Sequence, residues 1–170
     1  KRKILTQNIY GVDLDAAAVE VTQLSLYLKM LENENRTTLQ RQRELLADET
    51  EIALLPPLQD NIKCGNSLIA SDFSMMPEDL VRVHAFDWPV QFAPIMKAGG
   101  FDAVIGNPPY ILLQDDFRDD DQLKYFRENY RGASYKLDTY HLFIEQGIKL
   151  CKRGGRQSFI TPSNFLTNNH

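Results

Sequence analysis

Apolar positions recur along the chain at two spacings, and the change from one to the other marks its elements. "NIYGVDLD", Asn8 to Asp15, reads as a short strand ending in acidic residues. Asp15 is then placed to cap the next helix. Over Ala16 to Glu32, the residues Ala17, Val21, Leu24, Leu28 and Leu31 fall on one face at helical spacing. Asn33 to Glu51 is polar and charged and permits a solvated helix with a thin stripe at Leu39, Leu45 and Leu46. Pro56 and Pro57 break it.

"NIKCGNSLI" reads as a second short strand, ending in Gly-Asn-Ser. Ala70 to Lys97 is punctuated by Pro77, Pro89 and Pro94, which predicts short helices and loops. "FDAVIG", Phe101 to Gly106, is a short apolar run that suits a strand buried on both faces of a parallel sheet. Ile111 to Lys136 is charged and aromatic and reads as a long, partly mobile loop. Leu137, Ile144, Ile148 and Cys151 then share a helix face. Lys149, Lys152 and Arg153 sit in its expected last turn, and Gly154 and Gly155 at its end. "RQSFITP" is the last strand, stopped by Pro162. Strands alternating with helices predict an open, mostly parallel α/β sheet, in which ligands bind beyond the carboxyl ends of the strands. Asp13, Asn66 and Ser67, Asn107 to Tyr110, and Thr161 to Asn164 all fall at such ends.

Composition narrows the class. The 170 residues fit one domain, with 43% hydrophobic and 25% charged residues. No apolar run is long enough to span a membrane, and the N-terminus lacks the apolar core of a signal peptide. Cys64 and Cys151 lack metal-ligand spacing and are expected as reduced thiols in a cytoplasmic protein. A net charge of −4 argues against wrapping nucleic acid through bulk charge alone, but leaves room for an enzyme acting on it. The chain starts at a lysine and stops at "FLTNNH" without a closing element, so a fragment of a longer protein is expected.

The candidate chemistry lies at the strand ends. Asp13 could accept two hydrogen bonds from ribose hydroxyls, or cap the following helix; Asp15 is the better cap and frees Asp13 for a ligand. Asn66 could read an adenine edge, or close an Asx-turn. The sharpest signal is "NPPY", Asn107 to Tyr110. Each proline fixes φ and lacks an N–H, and Asn107, preceding one, is driven into an extended shape. The Asn107 side-chain carbonyl and the Pro108 backbone carbonyl then form two adjacent acceptors suited to an NH2 group. Tyr110 adds a flat face for a ring to stack on.

The acidic run Asp115, Asp116, Asp119, Asp120 and Asp121 lacks the glycine turn and closing glutamate of a calcium loop, so no metal is expected. His84, His141 and His170 show no pairing for metal or acid–base work. Tyr125, Phe126, Tyr130 and Tyr135 interleave with Lys124, Arg127, Arg131 and Lys136, a pattern open both to nucleic-acid contact and to core packing.

"GNPPY" after an apolar strand resembles the catalytic motif of S-adenosylmethionine-dependent amino-group methyltransferases, above all DNA N6-adenine methyltransferases. "YGVDLD" is similar to their acidic ribose-binding segment and "NIKCGNSLI" to their adenine-contacting segment. "DTYHLFIEQGIKLCKRGGRQSFITPSNFL" is similar to the helix and strand that follow the catalytic loop. The combination looks most like the methyltransferase domain of type IIG restriction–modification enzymes and their relatives in phage defence. The resemblance implies a Rossmann-like methyltransferase fold. It implies catalytic roles for Asn107, Pro108, Pro109 and Tyr110, and cofactor contacts from Asp13, Leu14, Asn66, Ser67 and Asn107. It further implies a prokaryotic cytoplasmic enzyme, a flipped adenine in double-stranded DNA as partner, and a target-recognition domain on the C-terminal side.

Two of the family's parts are missing from these residues: the glycine-rich loop on the first, central strand, expected just before Lys1, and a late aromatic, expected after His170. Without the central strand, "IYGVDL" and "FDAVIG" are expected to leave a gap between them or to pair non-natively. The same motif would also serve a methyltransferase acting on a protein glutamine amide or an RNA guanine amino group, and a non-catalytic relative would bind DNA or partners only.

Overall fold

The computed structural model describes residues 1–32, 55–113, 119–133 and 138–162. The stripe at Leu39, Leu45 and Leu46, the acidic Asp115 and Asp116, Tyr135, Lys136, Leu137, and Ser163 to His170 lie outside these residues. The chain divides into two compact units, Lys1–Asn66 and Ser67–His170.

The first unit holds α1 (Arg2–Asn8), β1 (Gly11–Asp13), α2 (Ala16–Leu31) and β2 (Ile62–Cys64). α1 departs from the sequence reading, which placed no helix before the first strand. Its Leu5 packs with Met30 and Leu58, flanked by Leu26 and Tyr27. A helix leaves its last carbonyls without intrahelical partners. The buried Asn61 amide gathers three from this end of the chain, those of Leu5, Thr6 and Ile9, at 3.3, 3.1 and 3.0 Å. The Gly11 N–H donates to the Asn61 carbonyl at 2.9 Å and so starts β1 beside β2. The two strands pair in parallel, Gly11 with Ile62 and Asp13 with Cys64.

α2 begins where the sequence predicts, with the Asp15 carboxylate accepting from Ala17 N–H at 2.9 Å. Its predicted apolar stripe is not its packed face. Val21, Leu24 and Leu28 are 62%, 57% and 62% exposed, whereas Val19 and Met30 are buried. α1 and the segment around Leu58 claim the side of α2 carrying Leu26, Tyr27 and Met30, so the more regular stripe is left to solvent among the described residues.

The second unit begins with a 3-10 turn, Ser71–Phe73, and three short helices: α3 (Pro77–Arg82), α4 (Trp88–Gln91) and α5 (Ala93–Lys97). Pro77, Pro89 and Pro94 each sit in the first turn of one of them, where a missing N–H costs nothing. There follow β3 (Phe101–Gly106), α6 (Asp120–Asn129), α7 (Thr139–Leu150) and β4 (Cys151–Phe159). β3 and β4 are parallel, with Ala103 opposite Arg156 and Gly106 opposite Phe159.

α6 corrects the expectation of a loop throughout Ile111 to Lys136. Asp119 caps it, accepting from Gln122 N–H at 3.0 Å and pairing with Arg82 at 3.0 Å. Phe126 and Tyr130 are buried with Leu68, Ile69, Val83, Leu123 and Leu142, so these aromatics serve the core rather than a nucleic-acid face. Burial pushes the Tyr130 phenol well above its usual range; its hydroxyl donates to the Leu68 carbonyl at 2.7 Å.

The helix–strand boundary near residue 150 is also corrected. α7 stops at Leu150, and Lys152, Arg153, Gly154 and Gly155 belong to β4. The side chain of Lys152 pairs with Asp102 of β3. Gly100 sets this boundary: its φ is +112°, and a Cβ there would sit 2.5 Å from the Leu150 carbonyl oxygen. α7 buries Leu142, Gly147 and Leu150, while Ile148 of the predicted face is 63% exposed. Nor is β3 buried on both faces, since Ile105 is 81% exposed.

The architecture is mixed α/β with short parallel sheets. Among the described residues β1 and β3 lie in different sheets and do not pair. None of the described helices is long and apolar enough to cross a membrane, and the described His, Cys, Asp and Glu residues form no group that could hold a metal ion.

Candidate active site

β3 delivers the chain to the turn Asn107–Tyr110. The Ile160 N–H donates to the Gly106 carbonyl at 3.1 Å, so β4 accompanies β3 to its last residue. Two prolines then end the strand. Pro108 is buried, whereas Asn107, Pro109 and Tyr110 are exposed.

The start of α7 fastens this turn. Thr139 Oγ1 donates to the Pro109 carbonyl at 2.6 Å and accepts from the Ile111 N–H at 3.2 Å. The Thr139 N–H in turn donates to the Ile111 carbonyl at 3.0 Å, and Leu112 bridges antiparallel to Asp138. Tyr110 is held at its far end. Its hydroxyl is 2.8 Å from the Ile160 carbonyl and 3.4 Å from Asn107 Oδ1, and its single proton goes to the nearer oxygen. Tyr140 meets the Tyr110 ring edge-to-face, centroids 6.1 Å apart at 84°. Burial, helped by the Asp138 carboxylate, pushes the Tyr140 phenol above its usual range. One Asp138 carboxylate oxygen is buried with no hydrogen-bond partner among the described residues.

Chemically, the turn presents acceptors and a ring. Of its carbonyls, that of Pro109 is committed to Thr139, and no described group bonds that of Pro108. The Asn107 side chain carries only its long contact to Tyr110.

The predicted cofactor residues divide between the units. Asp13, at the end of β1, is exposed; one carboxylate oxygen accepts from Asp15 N–H at 2.9 Å. Asp15, not Asp13, caps α2, and the Asp13 carboxylate keeps further acceptor sites beside its bond to Asp15. Leu14 is 55% exposed, and its carbonyl receives the Cys64 thiol at 3.4 Å. Asn66 is partly buried at the end of the same unit. Ser67 opens the second unit; its carbonyl accepts from the Trp88 indole at 3.1 Å, and it lines a cavity of about 180 Å³ with Tyr125, Tyr130 and Lys149. Within the first unit the exposed Asp13 carboxylate can accept, and the partly buried Asn66 amide can both accept and donate.

Sequence reasoning missed Thr139, Tyr140 and Ile160. A threonine opening a helix is an ordinary capping pattern, and no local signal shows a hydroxyl that reaches thirty residues back to a carbonyl.

A mixed α/β protein with a proline-locked Asn107–Tyr110 turn at the end of β3 defines a class, and comparison with known proteins names it. Residues 7–170 match the Eco57I restriction-modification methylase family, and the chain belongs to that family. It is 33% identical over 167 residues to the type II restriction enzyme and methyltransferase RM.Eco57I of Escherichia coli, covering 98% of this chain and 15% of that protein. It is 39% identical over 69 residues to the putative type II restriction enzyme and methyltransferase RM.MjaORFECS2P of Methanocaldococcus jannaschii, covering 41% and 5%. It is 30% identical over 106 residues to the type II methyltransferase M.BstVI of Geobacillus stearothermophilus, covering 61% and 15%. The chain thus spans a small part of these relatives' length. No solved structure matches it.

Proposed function

We propose that this chain is the central part of a methyltransferase catalytic domain that transfers a methyl group from S-adenosylmethionine to the N6 amino group of adenine in DNA, within a restriction–modification or phage-defence system. The single observation that carries the reading is the Asn107–Tyr110 turn at the end of β3, with Pro109 committed to Thr139 and the Asn107 and Pro108 acceptors left for a ligand. Membership of a restriction-modification methylase family supports methyl transfer.

The mechanism follows from the acceptors. The lone pair of adenine N6 is delocalised into its ring, which makes it a poor nucleophile. Asn107 Oδ1 and the Pro108 carbonyl accept its two N–H groups and favour a pyramidal nitrogen with a localised lone pair. Tyr110 supports the base, which must leave the duplex to arrive there. The donor supplies an activated methyl group on a sulfonium. Asp13 would hold the ribose hydroxyls, with Leu14, Asn66 and Ser67 around the adenine. Stabilisation is pre-organised and electrostatic and needs no strong base.

The parallel β1–β2 and β3–β4 pairs support a Rossmann-like methyltransferase fold, which is part of the proposal. So are a C-terminal target-recognition domain and a cytoplasmic setting.

In the intact protein, Asn107→Ala is expected to lower turnover by about 10²–10³-fold, as loss of one oxyanion-hole group does. Calorimetry with S-adenosylmethionine should still show binding. Near-wild-type turnover of the variant would sink the mechanism, and no cofactor binding by the wild type would favour a non-catalytic DNA- or partner-binding relative.

A further inference from the structure

We infer that Thr139 is the positioning residue of the turn: it decides which backbone carbonyl is offered to the amino group. The inference rests on the reading of Asn107–Tyr110 as the receptor.

The turn contains three successive carbonyls, on Asn107, Pro108 and Pro109, and neither proline has an N–H. The prolines fix φ but not ψ, so contacts from elsewhere in the chain complete the direction of each carbonyl. Thr139 supplies the decision from α7. Its hydroxyl proton goes to the Pro109 oxygen at 2.6 Å, while its lone pair takes the Ile111 N–H at 3.2 Å. Its own N–H takes the Ile111 carbonyl at 3.0 Å. These three bonds bracket Tyr110 on both sides and consume the Pro109 acceptor. The Pro108 carbonyl is left as the backbone acceptor beside the Asn107 side chain. Thr139 is itself buried, 8% exposed, and acts only through the backbone it holds. A hydroxyl is required, because one atom must donate to a carbonyl and accept from an amide. Valine matches its shape and can do neither.

The test uses the intact protein with Thr139→Ser, Thr139→Val and Asn107→Ala, under single-turnover methyl transfer to DNA. Thr139→Ser should stay within about threefold of wild type, because the hydroxyl remains. Thr139→Val should lose about 10–10²-fold in the transfer step, the scale of a misplaced reacting group, with KM for DNA and cofactor affinity nearly unchanged. Amide hydrogen exchange gives a readout independent of activity: the Ile111 amide should lose protection in Thr139→Val and keep it in Thr139→Ser. If the valine variant does not fold, Thr139→Ala compared with Thr139→Ser makes the same contrast.

Wild-type transfer by folded Thr139→Val, equal damage in the serine variant, or unchanged Ile111 protection would overturn the inference while leaving the receptor reading intact. Wild-type transfer by Asn107→Ala would overturn the receptor reading, and a wild-type protein transferring no methyl group would overturn both.

Discussion

Tyr110 shows how a residue can be legible in type and opaque in role. A tyrosine after two prolines predicts a ring for stacking, and the structure leaves that ring 48% exposed. The sequence does not disclose that its hydroxyl is tied to the Ile160 carbonyl fifty positions on, at 2.8 Å. The ring and the hydroxyl therefore make separable contributions. Tyr110→Phe keeps the stacking face and loses one hydrogen bond, so turnover should fall by about threefold to tenfold. Tyr110→Ala also loses the stacking surface, worth about 1–3 kcal/mol per base, and should fall further. Steady-state transfer kinetics on both variants check the order; equal losses would remove the stacking role. Asp13 was legible in part: its acidity and strand-end position stand out, but its bond to Asp15 N–H depends on backbone geometry.

Elements were legible where local chemistry decides them. Asp15 caps α2, three prolines open three short helices, and "FDAVIG" is β3. They were illegible where distant partners decide. α2 turns its most regular apolar stripe outward because Leu5 of α1 and Leu58 take the neighbouring face. The end of α7 was misplaced because Lys152 to Gly155 suit a helix terminus as well as a strand, and only the pairing of the flanking Cys151 and Arg156 with β3 carries the strand through them. Gly100 is the backbone position that permits this. A side chain there would meet the Leu150 oxygen at 2.5 Å and the Lys152 nitrogen at 2.9 Å, at a φ of +112°. Gly100→Ala should therefore destabilise the protein by about 2 kcal/mol or more in urea unfolding, combining backbone strain with a clash that side-chain rotation cannot relieve. An unchanged midpoint would show that the β3–β4 edge gives way freely.

At the scale of the molecule, alternating elements announced a parallel α/β protein, and the described strands form two parallel pairs, β1 with β2 and β3 with β4. Each parallel pair is a two-stranded sheet, and isolated pairs of that size are marginal in water. Among the described residues Ile105, Val21, Leu24 and Leu28 leave apolar surface exposed. The net charge of −4 adds little attraction for DNA, so the proposed reading rests on contacts at the turn rather than on bulk charge. In that reading the turn would accept any planar NH2 group. The most direct test therefore supplies the intact protein with S-adenosylmethionine labelled on the methyl group, in the presence of double-stranded DNA, RNA and protein together, and digests each product. The account predicts label in DNA alone, recovered as N6-methyladenine. Label in a glutamine side chain or in guanine of RNA would contradict it.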